Sequence, residues 1–542
     1  MEHVFCSGDQ NCSPFWDTWP KVEFLAKSGH NLLQIIHDTD ILYRGHSRKN
    51  SYHIKWLHLK HDGSSYYSPN LFYYRFLGRH NPFPVDKLES YTGLKLSKIS
   101  ALLNLSIENL YEKFGAYDKL ALLGGDSKKN GYRIAAGIKL SETYQSFEEF
   151  LDLIEEDMHE FVVTTDQKDN LIDVLNIWRA EVQAINEKNP NITISELFSL
   201  WMQSKFTKNV TFVGCSDYFR VIPENKNRFT FFLDFVRGYH EYAECYNKAL
   251  EINNSVISKL DIFKGELPFY VIRNIEGQLL RFPIFLENGN LVIQDQILNL
   301  PLVTWEDLLS WCEEMRVECL IGKAIPLMMQ LRDGNYGVPM VMPKLGSPYT
   351  AIVDSYSKLL GERFIGIKDV SLVDFQIFDA LQKANFSFRL PLFLQEIFKK
   401  EIVHCKLFVE QLPFYIREAN RVLDECKRNP QLTMREFYPS LTRNLADLEQ
   451  KRTSQGLILA KIPKRTSEYQ HEMVKYFEIK SSYSKIYREY VNKLCQLLVN
   501  QWHVSQLNYF NNRGAFELWS KTLGGINLYQ SIIDHTILVS QK

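Results

Sequence analysis

No stretch of this 542-residue chain reaches the roughly 18 consecutive apolar residues that a membrane-spanning helix needs, and no secretory leader precedes its first apolar segment. Net charge is almost absent. With 63 basic against 64 acidic residues, no overall field exists to hold a nucleic acid or an anionic membrane surface. The nine cysteines (Cys6, Cys12, Cys215, Cys245, Cys312, Cys319, Cys405, Cys426 and Cys495) include no CxxC pair and no CxxC…HxxxH spacing. That scatter argues against a zinc knuckle or a disulfide framework and for reduced thiols, so no metal site is expected. The GxSxG elbow, the Walker A phosphate loop and the HExxH helix are missing as well. A soluble, cytoplasmic protein with no membrane partner is the expectation.

What is present is apolar mass. At 45% hydrophobic and 13% aromatic residues, the chain can bury a large core and fill about two to four structural units. Its opening, FCSGDQNCSPFWDTWPKVEFLAKSGHNLLQIIHDTD over 5–40, has the pattern of a βαβ unit. A short strand is expected over 4–6 and a helix over 14–27, with Pro14 at its start and Gly29 past its end. The nearly continuous apolar run over 31–36 predicts a parallel strand covered on both faces. In such a unit the loops after both strands emerge on one side of the sheet, so 7–13 and 37–40 should line one crevice.

Further along, aromatic-rich short strands are expected over 51–90, a helix over 97–123 ending at Gly124-Gly125, and strongly helical sequence from about Phe147. The acidic run of Glu148, Glu149, Glu155, Glu156 and Asp157 reads as the solvated face of a helix whose apolar face includes Leu151. Strands return at 211–214 and 267–272, a hairpin turns at Asn288-Gly289, and 338–342 is a buried strand. After about Phe375 almost everything reads as helix. The last helix, over 466–508, carries Tyr469, Tyr476, Tyr483, Tyr490 and Leu497 at intervals of seven, with Lys480 interrupting the second seam, which specifies a coiled coil or bundle.

Two loops carry the candidate chemistry. Gly8, Asp9, Gln10 and Asn11 lie between a strand and a helix amino end, where free N–H groups and the helix dipole favour an anion. An ordinary capped loop is the alternative. His37, Asp38 and Asp40 end the second strand; carboxylates two apart on extended chain point the same way and suit an ammonium, a hydroxyl pair or a base. A solvated strand end is the alternative there. A rival signal is Gly93-Leu94-Lys95-Leu96-Ser97-Lys98, which looks like the ATP-phosphate lysine loop of class I aminoacyl-tRNA synthetases, with Lys95 and Lys98 as its cations. The HxGH signature of those enzymes does not occur.

The order of segments resembles the bacillithiol synthase family, cysteine ligases that join cysteine to the amine of a glucosamine–malate conjugate. Val4-Phe5-Cys6-Ser7-Gly8-Asp9-Gln10 is similar to that family's strand and Gly-Gln-Gln loop, with Asp9 in place of the first glutamine. His37-Asp38-Thr39-Asp40 resembles its acidic strand end. RFTFFLDFVRGYHEYAECYNKALE from Arg228, ELPFYVI from Glu266 and VPMVMPKLG from Val338 follow in the family's order. Around Gly322-Lys323-Ala324 the family's Gly-Pro-Gly-Glu pattern is absent. The resemblance implies a Rossmann-like parallel-sheet core with helical insertions, a C-terminal helical coiled-coil arm, and a homodimer through that arm.

The sequence therefore predicts an α/β chain organised as 1–146, the first part of the core; 147–208, a helical insertion; 209–374, the second part of the core; and 375–542, a C-terminal helical region. The expected activity is ligation of an amino acid, cysteine by resemblance, to the amine of a small polar acceptor. Gly8, Asp9, Gln10, Asn11 and His37 would bind substrate, and Asp38 and Asp40 would bind or deprotonate the amine. Amide formation implies a nucleotide such as ATP. A catalytically inactive scaffold and a synthetase-like nucleotide binder are the alternatives.

Overall fold

The structure, a computed structural model, describes residues 5–8, 18–39, 83, 85–114, 131–206, 209–255, 257–294, 296–298, 304–344, 349–364, 366–390, 392–507 and 516–540. In chain order the strands are β1 (Phe5–Gly8), β2 (Leu32–Ile36), β3 (Tyr132–Arg133), β4 (Val210–Gly214), β5 (Glu266–Ile275), β6 (Gln278–Glu287), β7 (Asn290–Ile293), β8 (Gln296–Ile297), β9 (Val317–Gly322), β10 (Met340–Pro343), β11 (Val370–Asp374), β12 (Ser387–Arg389), β13 (Ile402–His404) and β14 (Ile537–Ser540).

The central sheet runs β14-β11-β10-β1-β2-β4. Its five strands from β4 to β11 are mutually parallel, and β14 is antiparallel at one edge. The strand order starts at β1 and steps outward to β2 and β4 on one side, then returns to β10 and β11 on the other. It therefore reverses between β1 and β10. The expected βαβ unit is present: Phe5 pairs with Leu32 and Gly8 with Ile35 in parallel register, with the helix Thr18–Lys27 between the strands.

Alternation along these strands sorts the interior into two layers, because successive side chains face opposite sides of a sheet. Leu32, Ile36, Phe212, Val341 and Val373 enter a core with Trp19, Trp178 and Trp201. Those three indoles meet edge to face, Trp19 at 5.0 Å from Trp201 and 5.7 Å from Trp178, contacts that add about 0.5–1.5 kcal/mol each to the burial of the rings. Cys6, Leu33, Ile35, Met340 and Val370 enter the opposite core, shared with the second sheet β8-β7-β6-β5-β9 and the aromatic helices Thr230–Arg237 and Tyr239–Ile252. The Asn288-Gly289 turn joins β6 to β7 with both residues at positive φ, 51° and 81°, the left-handed pair that such a tight hairpin requires.

A third core is helical. It joins the helices Leu88–Thr92, Leu96–Leu103 and Ile107–Phe114 to Cys405–Arg428 and the long helix Ser467–Gln506. The long helix folds back along Pro439–Lys461: Gln455 donates to the Glu472 carbonyl at 3.2 Å, and the Arg452 guanidinium lies 4.4 Å from the Tyr483 ring. Tyr490, Leu494 and Leu497 are buried in the seam read from the sequence, and Lys480 is exposed.

Three expectations change. The single helix over 97–123 is broken at Asn104, whose left-handed φ of 53° ends Leu96–Leu103 before Ile107–Phe114 begins, as Gly93 at 69° ends the preceding Leu88–Thr92; 115–123 and Gly124-Gly125 lie outside the described residues. Of the strands expected over 51–90, residues 51–82 and 84 lie outside the described residues, and 85–90 is helical. The region after Phe375 contains β12, β13 and β14, runs too short for periodicity to separate strand from helix. The acidic face after Phe147 is met by Arg179, which reaches Glu148 at 3.3 Å and Asp152 at 2.8 Å. No helix among the described residues is long and apolar enough to cross a membrane.

Candidate functional site

In open parallel sheets the crevice outside the carboxyl ends of the strands, at the point where strand order reverses, is the usual ligand position. Here that point lies between β1 and β10. Gly8 ends β1, and its lack of a side chain is used: a methyl group there would come within 2.9 Å of His37 Nε2. The two loops read from the sequence therefore do meet at Gly8 and His37. Asp9, Gln10, Asn11 and Asp40 lie outside the described residues.

Asp38 is buried at 1% exposure and bonded three times. Its Oδ2 accepts from Ser195 Oγ at 2.9 Å and Ser216 Oγ at 2.6 Å, and its Oδ1 accepts from the Ser216 backbone N–H at 2.8 Å. Burial pushes the carboxyl up to about 6, the Ser216 and Ser195 bonds pull it back, and Asp217 adds a small upward push. The bonds brace the end of β2 against the helix Ile194–Lys205 and the short helix Cys215–Tyr218 that follows β4, and a methyl at Gly214, the last residue of β4, would collide with Asp38 Oδ2. To act as a base, Asp38 must release one of these donors. Around it the loop is held on both sides: Ala136 N–H donates to the Asp38 carbonyl at 2.9 Å, and Arg281 Nη1 donates to the Thr39 carbonyl at 3.0 Å.

Three charged side chains at this edge come from outside the sequence-based set. Lys21, in the first turns of Thr18–Lys27 and 1% exposed, donates from Nζ to the Gly8 carbonyl at 2.7 Å. Just past β10, Lys344 Nζ contacts Asp374 Oδ2 at 2.5 Å. Asp374, the last residue of β11, is 2% exposed, and its Oδ1 has no hydrogen-bond partner among the described residues.

Register assembles these residues. Gly8 is level with Ile35, Ser7 with Val341, and Met342 with Leu372. Two residues further along their strands, His37, Lys344 and Asp374 stand in one row on the face that carries Gly8. Lys344 N–H still donates to Val373 O at 2.9 Å, so the ladder persists to this level. The strands β2 and β10 flank β1 and lie about 10 Å apart at normal sheet spacing. His37 leans into that gap over Gly8.

Lys95 and Lys98 are elsewhere. Both are exposed, Lys95 just before and Lys98 within the helix Leu96–Leu103, which packs with the long helix in the third core. The structure does not bring them to the strand ends. A charged residue at the carboxyl end of an apolar run is the signal that could find Lys344 and Asp374. Nothing local marks Lys21, Ser195 or Ser216. No group of His, Cys, Asp and Glu suited to a metal ion occurs among the described residues. Compared with known proteins, the chain matches no family model, no curated protein and no solved structure.

Proposed function

We propose that the chain is a small-molecule enzyme with a Rossmann-like core, and that it joins an amino acid to an amine in the crevice between β1 and β10. The observation that carries this reading is the row of His37, Lys344 and Asp374 across the strand-order reversal, with side-chain-free Gly8 beneath it. The parallel order from β4 through β1 to β11 supports the Rossmann-like assignment. The collinear resemblance to the bacillithiol synthase family supports the ligase assignment, with cysteine as the amino acid.

An alkylammonium ionises near pH 10, so the attacking amine needs a positioned base. His37 stands at the crevice, and Asp38, held near 6, sits behind it. Lys21 supplies a buried positive charge under the Gly8 carbonyl that offsets developing negative charge nearby. A carboxylate does not condense with an amine unaided, so a nucleotide such as ATP is the expected co-substrate.

The test is nucleotide consumption by purified protein given cysteine and a panel of amino sugars and other amines. Turnover that requires both substrates and is lost in His37→Ala at unchanged melting temperature is the expected result. A second reading, a binding protein or scaffold without catalysis, is favoured by the three protein donors that occupy Asp38. It predicts ligand binding with no turnover. A homodimer through the C-terminal helices would use the exposed Val474 and Phe477, 58% and 55% accessible, on the long helix. Sedimentation of a Val474→Glu, Phe477→Glu double variant as a monomer, against a dimeric parent, tests it. The synthetase-like alternative predicts weakened ATP binding in a Lys95→Ala, Lys98→Ala double variant.

A further inference from the structure

A carboxylate that is 2% exposed is expected to have its oxygens filled, because a buried acceptor left unpaired costs about 1–3 kcal/mol, more when charged. Asp374 departs from this. Oδ2 receives Lys344, and Oδ1 receives no donor among the described residues. Its cation partner is unlike it in one respect: the Lys344 side chain is 48% exposed and has N–H groups to spare beyond its contact with Asp374. The pair stands in one row with His37 at the strand-order reversal. It therefore combines a fixed, unfilled anionic acceptor with a movable cationic donor.

We propose that Lys344 and Asp374 form a reader for a zwitterion, taking a free α-amino acid by its ammonium and its carboxylate together. The inference rests on the crevice reading above and names which substrate this side of it holds. The substrate ammonium donates to Asp374 Oδ1, the acceptor left unpaired among the described residues and covered until the ligand enters. Lys344 keeps its contact with Oδ2 and donates a second N–H to the substrate carboxylate. Four charges then alternate in sign around the contact, so binding adds no net charge to a poorly solvated place, where an unpaired ion is expensive. The α-carbon substituent points along the row toward His37. An anion alone would leave Oδ1 unfilled, and a simple amine would leave Lys344 unanswered. The geometry thus favours a ligand that carries both charges on neighbouring atoms.

Calorimetry on the full chain tests this with L-cysteine and others of the common amino acids, against N-acetyl-L-cysteine, which lacks the ammonium, and L-cysteine methyl ester, which lacks the carboxylate. Binding of a free amino acid, with each capped form weaker by about tenfold to a hundredfold, is expected. Asp374→Asn, close to isosteric, should lower free amino acid affinity by a similar factor and abolish discrimination against the acetylated form. Lys344→Met should abolish discrimination against the ester. The proposal is overturned if no free amino acid binds, if capped and free forms bind alike, or if Asp374→Asn leaves affinity unchanged in a folded protein. Coupling activity that persists in Asp374→Asn with unchanged KM for the amino acid would remove the reader and leave the ligase reading standing. Discriminating binding without coupling to any amine would do the reverse.

Discussion

Replacing Asp38 by asparagine should change how stability depends on pH far more than it changes the structure. In the folded chain the Asp38 carboxyl is held at about 6, against 3.8 for an unperturbed aspartate. Between those two values the native state binds more protons at this site than the unfolded state does. Stability contributed by Asp38 is therefore highest below about pH 4, falls as pH rises through the window, and stays at its reduced level above pH 6. About two pH units at 1.36 kcal/mol each give a cost approaching 3 kcal/mol at neutral pH. The group is 1% exposed, so solvent screening reduces this little. Asparagine keeps the acceptor for the Ser216 N–H, and its amide can donate to the Ser195 and Ser216 hydroxyls, which rotate to accept. The variant should thus be as stable as the parent or more so at pH 7, and less stable than the parent at pH 4. Urea midpoints followed by tryptophan fluorescence at both values, compared as a double difference so that other carboxylates cancel, provide the assay. A double difference near zero, or one of opposite sign, would refute the argument that desolvation outweighs the three hydrogen bonds.

Asp38→Ala leaves the buried Ser195 hydroxyl and two half-buried Ser216 donors without an acceptor and should cost about 1–3 kcal/mol at pH 7 and more at pH 4, read as a lowered urea midpoint. Gly8→Ala should push the His37 ring out of its seat and weaken ligand binding in calorimetry, while the melting temperature stays nearly constant because the ring can move. Gly265→Ala acts on backbone instead. At φ 67° its methyl would collide with the Leu286 carbonyl oxygen, and a loss of about 2 kcal/mol or more should appear in thermal unfolding. Trp201→Ala empties a site at the centre of the indole cluster and should cost about 3–5 kcal/mol, measured by denaturant midpoint.

The sequence by itself determined the elements whose code is local. The nearly continuous apolar run over 31–36 announced β2, which is buried along its whole length and takes up Gln34 as well, and β1, β4 and β10 were legible with slightly shifted ends. Asn288-Gly289 announced its hairpin because few other pairs accept two left-handed residues in succession. The heptad of tyrosines announced a long helix with a buried seam near Tyr490. These signals also brought Gly8 and His37 together, because adjacent parallel strands must open their following loops on one side.

Only the tertiary structure decided the rest of the crevice. Asp38 became a brace once Ser195 and Ser216, far along the chain, folded over it. Lys344 and Asp374 became a pair because β10 and β11 lie side by side, and neither was among the candidate site residues read from the sequence. Gly93 and Asn104 ended helices by adopting positive φ, a choice that periodicity does not encode. The division has one physical cause: side-chain patterning acts over a few residues, whereas solvation, charge pairing and strand order are set by neighbours that the chain supplies from hundreds of residues away.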